Sequence, residues 1–386
     1  MGVQKRIRGG KTRWVARYRD PGGKERSKTF DREKDGKTWL AQQLAAMEGG
    51  TWQDPANTKV TVGQLFDNWV ASEFRTANTY KTYLYTRRTM LEPLAHLPAS
   101  SVTAVQVRQW YDRMRAGRDW ISGQDEGVSH STAAASLSHL RNAFAYGVEI
   151  GIVPRNPVRS TPPRRVGVRV EIPTKAEVER VIYDVRHGGY EYPVVRDGKK
   201  ATSTARPAPI YADLMEVGKL SGMRASEVLA LDDADLDFAA KVIEVTTQAN
   251  RSGERVQLKT PAARRVIPMV PELEEVLARY AGSGRLFKAR TGGVVSYAAL
   301  SHAIAIGRQE LDHVNFHSLR HHFASQLLAS GLPVQDVSAL LGHASPAVTL
   351  GVYAHVVEGA QDRARDAIVA TLSRGTAAGR GHLRAV

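Results

Sequence analysis

Between Lys11 and Lys28 the chain alternates at period two on either side of Pro21-Gly22-Gly23: Arg13, Arg17 and Arg19 interleave with Trp14, Ala16 and Tyr18, and Lys24, Arg26 and Lys28 follow the turn. Period two belongs to strands, so the pattern predicts a β-hairpin with one basic face. A short strand around Val3–Arg8 makes three strands. Asp31 is placed to cap a helix whose Leu40, Leu44 and Met47 cover the apolar side of the sheet, and Gly49-Gly50 ends it. The first 30 residues carry ten Lys/Arg against Asp20 and Glu25, more than half of the formal net charge of +15. So strong an excess on so small a module points to a polyanionic partner, most often nucleic acid, rather than to an unengaged basic surface.

Residues 51–60, with Asp54-Pro55 and Asn57, read as a linker. From Thr61 to Ile150 the spacing becomes helical, in four stripes: Leu65-Phe66-Trp69-Val70, Tyr80-Leu84-Arg87-Leu91, Val105-Val107-Trp110-Tyr111-Met114 and Leu137-Leu140-Phe144-Val148. A four-helix domain closes at Pro154–Pro157, and Thr161-Pro162-Pro163-Arg164-Arg165 is a stiff basic linker suited to lying along a charged partner. Beyond Thr174, an N-cap, the pattern is mixed. Helices are expected at 174–185 and 210–221, an exposed insertion at 187–209, and short strands at Val242–Thr247, Arg255–Lys259 and Arg265–Met269 before helices resume. The fold class is thus multidomain α+β: a small three-stranded sheet plus helix, a four-helix domain, and a mixed, mainly helical domain with a small antiparallel sheet. No apolar run reaches the ~20 residues of a membrane span, and without cysteine the chain has no disulfide or thiolate chemistry.

Three clusters can carry chemistry. Gly222-Met223-Arg224-Ala225-Ser226-Glu227 sets a helix stop before an Arg and a Glu at i, i+3. His317-Ser318-Leu319-Arg320-His321-His322 lies at a helix start, with His317 and Arg320 beside the buried stripe of Leu319, Phe323 and Leu327. Leu341-Gly342-His343 ends another helix, Ser345-Pro346 restarts one, and Tyr353 follows near its end. There is no carboxylate cluster for Mg²⁺ and no GxxxxGK[ST]. His317 and His321 lack the Glu of HExxH, so no metal or cofactor is expected. What remains suits a metal-free phosphoryl transfer: guanidinium groups for the non-bridging oxygens, a tyrosine nucleophile, and a proton donor for the leaving oxygen.

Arg224 with Glu227, His317-x-x-Arg320, Leu341-Gly342-His343 and Tyr353 ten residues later, in this order and spacing, resemble the tyrosine recombinases, the phage-type integrases in particular. Ser221-Gly222-Met223-Arg224, Leu319-Arg320-His321 and Tyr353-Ala354-His355 match as neighbouring words, and His322 is a mild departure where relatives carry Thr or Ser. The resemblance implies residues 1–50 as an arm-type DNA-binding domain, 61–158 as a helical core-binding domain, 168–375 as the catalytic domain, and 376–386 as a disordered tail. It implies a site-specific recombinase whose Tyr353 forms a 3′-phosphotyrosine intermediate without ATP or metal. Arg224 and Arg320 would hold the phosphate with His343, His317 would assist Tyr353, and Glu227 would orient the site. Lys259, in Leu258-Lys259-Thr260-Pro261, stands where the family has a general-acid lysine on a turn, with Lys241 the weaker claimant. The implied partners are double-stranded DNA attachment sites, read in part by Arg13, Arg17, Arg19, Lys24, Arg26, Lys28, Arg164 and Arg165. A homotetramer on DNA, a directionality factor and a DNA-bending protein are further implied partners; no membrane is involved, and the place of action is the bacterial cytoplasm, at the nucleoid. An amphipathic helix over 360–372, with Ala364, Ile368 and Leu372 on one side, is expected to dock on protein.

Overall fold

The computed structural model describes residues 2–8, 11–50, 52, 54–55, 57–72, 76–123, 126–158, 170–196, 198–258 and 260–353, together with Arg365 and Val369. Lys259, Arg164, Arg165, the stripe expected over 360–372 and the tail at 376–386 lie outside them. The chain divides into two compact units, 1–167 and 168–386.

In the first unit, strands β1 (Gly2–Arg8), β2 (Lys11–Arg19) and β3 (Glu25–Phe30) form an antiparallel sheet covered by helix α1 (Glu33–Glu48). Asp31 does not cap α1: its N-cap is Arg32, without a side-chain bond, and the Asp31 carboxylate pairs with Arg13. The register corrects the expectation of one basic face. Tyr18 stands opposite Arg26, Ala16 opposite Lys28 and Trp14 opposite Phe30. Residues directly opposite in a ladder share a face, so Arg26 and Lys28 lie on the side covered by α1, whereas Arg13, Arg17 and Arg19 lie on the other. Arg26 is committed to Asp20 and Asp54, and the Lys28 ammonium sits 5.6 Å from the centre of the Phe30 ring. Lys24 is in the turn region, next to β3. The open face gains a cation from β1 instead, since Arg6 is opposite Arg13.

The rest of the first unit is helical: α2 (Val62–Ala71), α3 (Ala77–Tyr85) running into one π-turn (Thr86–Met90), α4 (Glu92–Ala95), α5 (Ala104–Ala116) and α6 (His130–Glu149). Thr61, Thr76, Thr103 and Ser129 cap four of these helices with their side chains, as helix starts require. The core gathers Leu65, Phe66, Met90, Trp110, Leu140 and Phe144. Trp110 satisfies its indole N–H on the Met90 carbonyl at 2.7 Å, where the π-turn ends. From the predicted stripes, Tyr80, Val105 and Val148 remain exposed.

The second unit begins with α7 (Lys175–His187), opened by a reciprocal Thr174–Glu177 capping box. The expected insertion is an exposed hairpin, β4 (Glu191–Arg196) and β5 (Lys199–Thr204). Helix α8 (Pro209–Ser221) then forms the centre on which α7, α10 (Pro271–Ala278) and α12 (Phe316–Ala329) pack. After the short α9 (Ala225–Val228), β6 (Leu236–Asp237), β7 (Val242–Val245) and β10 (Arg265–Pro268) make an antiparallel sheet in the order β10-β7-β6, while β8 (Thr247–Ala249) and β9 (Arg255–Gln257) form a separate hairpin. Helices α11 (Tyr297–Gly307), α13 (Val334–Leu341) and α14 (Pro346–Tyr353) complete the unit. None of the described helices is long and apolar enough to cross a membrane.

Candidate active site

Two glycines set the local geometry. Gly222 ends α8 in the left-handed region (φ 62), and a Cβ there would lie 2.4 Å from the Phe323 ring of α12. Gly342 ends α13 in the same way (φ 66), with Arg265 against it. Only glycine takes this backbone at little cost in so tight a space.

The end of α13 is a mooring for three arginines. Successive carbonyls accept from different guanidinium groups: Leu340 from Arg265 Nε at 2.6 Å, Leu341 from Arg320 Nη2 at 2.5 Å and Gly342 from Arg224 Nη2 at 3.4 Å. The last carbonyls of a helix lack intrahelical donors and sit at its negative end, so cations are favoured there. Arg320, on α12, is only 2% exposed and also donates to the Gly222 carbonyl at 2.9 Å. Arg224, at the N-cap of α9, is partly exposed and donates to Glu227 Oε1 at 2.7 Å. The other carboxylate oxygen of Glu227 accepts from the Arg224 backbone N–H and from Arg265 Nη2, each at 2.8 Å.

Two guanidinium groups, those of Arg224 and Arg265, therefore share one carboxylate, while Arg320 is bonded to carbonyls alone. Burial, then the charges of Arg224 and Arg265, bring the Arg320 pKa down to about 9. Burial alone would raise the Glu227 carboxyl, but Arg265 and then Arg224 outweigh it and hold it below the usual range. The same cations act on the histidines. His343, bonded through Nδ1 to Thr349 Oγ1 at 2.8 Å, is lowered to about 4 by burial, then by Arg320, Arg224 and Arg265. Desolvation, then Arg320 and Arg224, also lower His317.

Tyr353 is 2% exposed, packed among Ala324, Leu328, Val337 and Leu341. Its hydroxyl shares a 2.7 Å hydrogen bond with His321 Nδ1, and burial, opposed by Arg320, raises it to about 12. His321 is lowered to about 4 by burial, His317 and Arg320, and its ring meets His317 edge-on at 4.7 Å. The histidine touching the tyrosine is therefore His321 and not His317, which lies one helical turn earlier and faces, with Arg224, a cleft of about 820 Å³ also lined by Asn250, Arg251, Ser296 and Tyr297.

Of the residues singled out in the sequence, Arg224, Glu227 and Arg320 gather around the end of α13, His317 reaches Tyr353 through His321, and His343, next to Gly342, bonds to Thr349. Lys241, the weaker general-acid claimant, points to Glu274 at 3.5 Å. Sequence reasoning missed Arg265, which reads as a strand residue, and the contact of His321; nothing in the spacing marks the first, whereas His321, four residues after His317, shares its helix face. The described residues contain no group of three or more side chains able to hold a metal ion.

Residues 200–359 match the model of the Phage integrase family. Among curated proteins, a XerC-like tyrosine recombinase of Caldanaerobacter subterraneus subsp. tengcongensis is 23% identical over 342 residues, 77% of this chain and 80% of the relative. The tyrosine recombinase XerC of Alcanivorax borkumensis is 26% identical, over 81% of this chain and 97% of the relative. Among solved structures, the Tn1549 transposon integrase in complex with a circular intermediate DNA aligns with a TM-score of 0.63 at 19% identity, covering 80% of this chain and 99% of that one. A lambda integrase tetramer bound to a Holliday junction aligns with a TM-score of 0.55 at 18% identity, covering 89% and 96%. The fold is that of these integrases, and over most of its length the chain is similar to tyrosine recombinases.

Proposed function

We propose that this chain is a tyrosine recombinase, an integrase that inserts and excises phage or other mobile-element DNA through a 3′-phosphotyrosine intermediate. The observation that carries the reading is the charge imbalance at the end of α13: three guanidinium groups and one carboxylate, with the buried Arg320 bonded to carbonyls. Such a site carries an excess of two positive charges, and a phosphodiester supplies one negative charge with bidentate geometry. Arg224 and Arg320 then neutralise the non-bridging oxygens, and His343 adds a donor. Tyr353 Oη attacks phosphorus and its proton passes to His321 Nδ1. The bond to the 5′-oxygen breaks, and Lys259 protonates that oxygen. His317 lines the mouth on the phosphate side, and Glu227 holds Arg224. Rejoining reverses the step, so the bond energy stays in the phosphotyrosine and no nucleotide is consumed.

In this reading residues 1–50 hold arm-type sites through the open sheet face, 61–158 bind the core site, and 168–375 cut it. Four protomers exchange strands between two duplexes. A second reading, chromosome-dimer resolution, draws on the XerC names of several relatives. The strongly basic N-terminal sheet favours the first, because a separate arm module is needed only when a second class of site must be held. A nicked suicide substrate tests the chemistry: the wild type should accumulate a covalent adduct, and Tyr353→Phe should bind the DNA but form none. Adduct with that variant would put the nucleophile elsewhere. Unchanged recombination after removal of residues 1–50 would favour the second reading.

A further inference from the structure

We propose that Arg265 is a positioning residue of the recombination reaction: it fixes Arg224 through Glu227 and fixes the α13 terminus that presents His343. The inference rests on the phosphoryl-transfer reading above.

The Arg265 side chain is 5% exposed, so it does not reach substrate itself. Its planar fork meets three acceptors in different directions: Glu227 Oε2 at 2.8 Å, the Leu340 carbonyl at 2.6 Å and the Ala263 carbonyl at 3.1 Å. Each acceptor belongs to a different part of the site. Glu227 carries Arg224, Leu340 is in the last turn of α13 two residues before Gly342, and Ala263 belongs to the turn that follows the Lys259 segment. Of the two arginines on Glu227, Arg224 is the partly exposed one, with 36% of its side chain open against 5% for Arg265. The buried anchor is Arg265. A β-carbon at Gly342 would stand 3.2 Å from Arg265 Cδ and Nη1, so the glycine that ends α13 also admits this guanidinium.

Lysine cannot replace it in function, since one ammonium has no fork with which to hold a carboxylate and a carbonyl on separate sides. With Arg265 gone, Glu227 keeps only Arg224, which relaxes toward the carboxylate and away from the phosphate.

Single-turnover cleavage should be compared on two substrates, an ordinary scissile phosphodiester and a methylphosphonate that lacks one anionic oxygen. Arg224→Ala calibrates the readout, because a lost clamp costs less where there is less charge to clamp. Arg265→Met and Arg265→Lys should slow phosphodiester cleavage by about 100-fold, the usual effect of one misplaced oxyanion donor. Methylphosphonate cleavage should slow by less than about tenfold, with DNA affinity within about threefold of wild type; both limits follow from a defect confined to the charge-stabilising step. Arg265→Lys keeps a buried cation beside Glu227 and carries the test if Arg265→Met does not fold. Equal slowing on both substrates, or wild-type cleavage of the phosphodiester, would overturn the proposal. A wild-type protein that cuts neither substrate would instead sink the underlying reading of the reaction.

Discussion

His321 is held neutral by the fold, and this makes the catalytic unit sensitive to acid in a window set by that residue and His343. The His321 pKa falls from 6.5 to about 4 on folding, through burial and then the neighbouring His317 and Arg320. The unfolded chain therefore binds the proton more readily, so stability is fully present above pH 6.5 and is lost as pH falls from there toward 4. At pH 5.5 linkage gives about 1.4 kcal/mol for such a group relative to pH 7.5, rounded down to about 1 kcal/mol because the ring is partly exposed. His343, also lowered to about 4, adds a similar amount. His321→Gln, which keeps an acceptor for Tyr353, should remove about 1 kcal/mol of the pH dependence, and His321→Gln with His343→Asn about 2 kcal/mol. All six tryptophans, Trp14, Trp39, Trp52, Trp69, Trp110 and Trp120, lie in the first unit. Urea unfolding followed by ellipticity and by tryptophan emission thus separates the two units, a precaution that multidomain chains demand. Histidine proton resonances assigned by difference from the variant give the pKa directly. A His321 resonance titrating near 6.5, or an unaltered pH dependence in His321→Gln, would refute the reasoning.

Gly222→Ala should destabilise the second unit by about 1 to 3 kcal/mol, from the left-handed backbone and the clash with Phe323, read as a shift of ellipticity without a matching shift of emission. Replacing Arg13, Arg17 and Arg19 by Gln should flatten the salt dependence of arm-site binding by about 2 to 3 in log–log slope, whereas Lys28→Gln, on the α1-covered face, should leave it unchanged; fluorescence anisotropy against salt concentration decides. Lys259→Ala should slow cleavage of an ordinary 5′-oxygen yet spare a bridging 5′-thio substrate, whose leaving group needs no proton. Equal losses on both would remove Lys259 as the general acid.

What the sequence made legible was local. Gly222 and Gly342 were readable as helix ends because a left-handed cap is a property of one residue and its neighbours, and both take that conformation. The period-two run predicted β2 and β3 for the same reason. Parity between the two strands was not legible, because it depends on the number of residues in the connecting turn, and a slip of one residue exchanges the faces. Here Arg17 stands opposite Ser27 and Arg19 opposite Glu25, so odd-numbered positions face odd ones. The ion pairs of Arg13 with Asp31 and of Arg17 with Glu25 follow from that parity, and so does the exclusion of Arg26 and Lys28 from the open face. The site divides in the same manner. Arg224 and Glu227 are three apart and meet by helix geometry, whereas Arg265 reaches Glu227 across 38 positions and Leu340 across 75, distances over which spacing carries no signal. Only the packing of β10 against α13 brings them together. That packing turns an arginine that opens a short strand into the bond between the carboxylate holding Arg224 and the helix end holding Arg320.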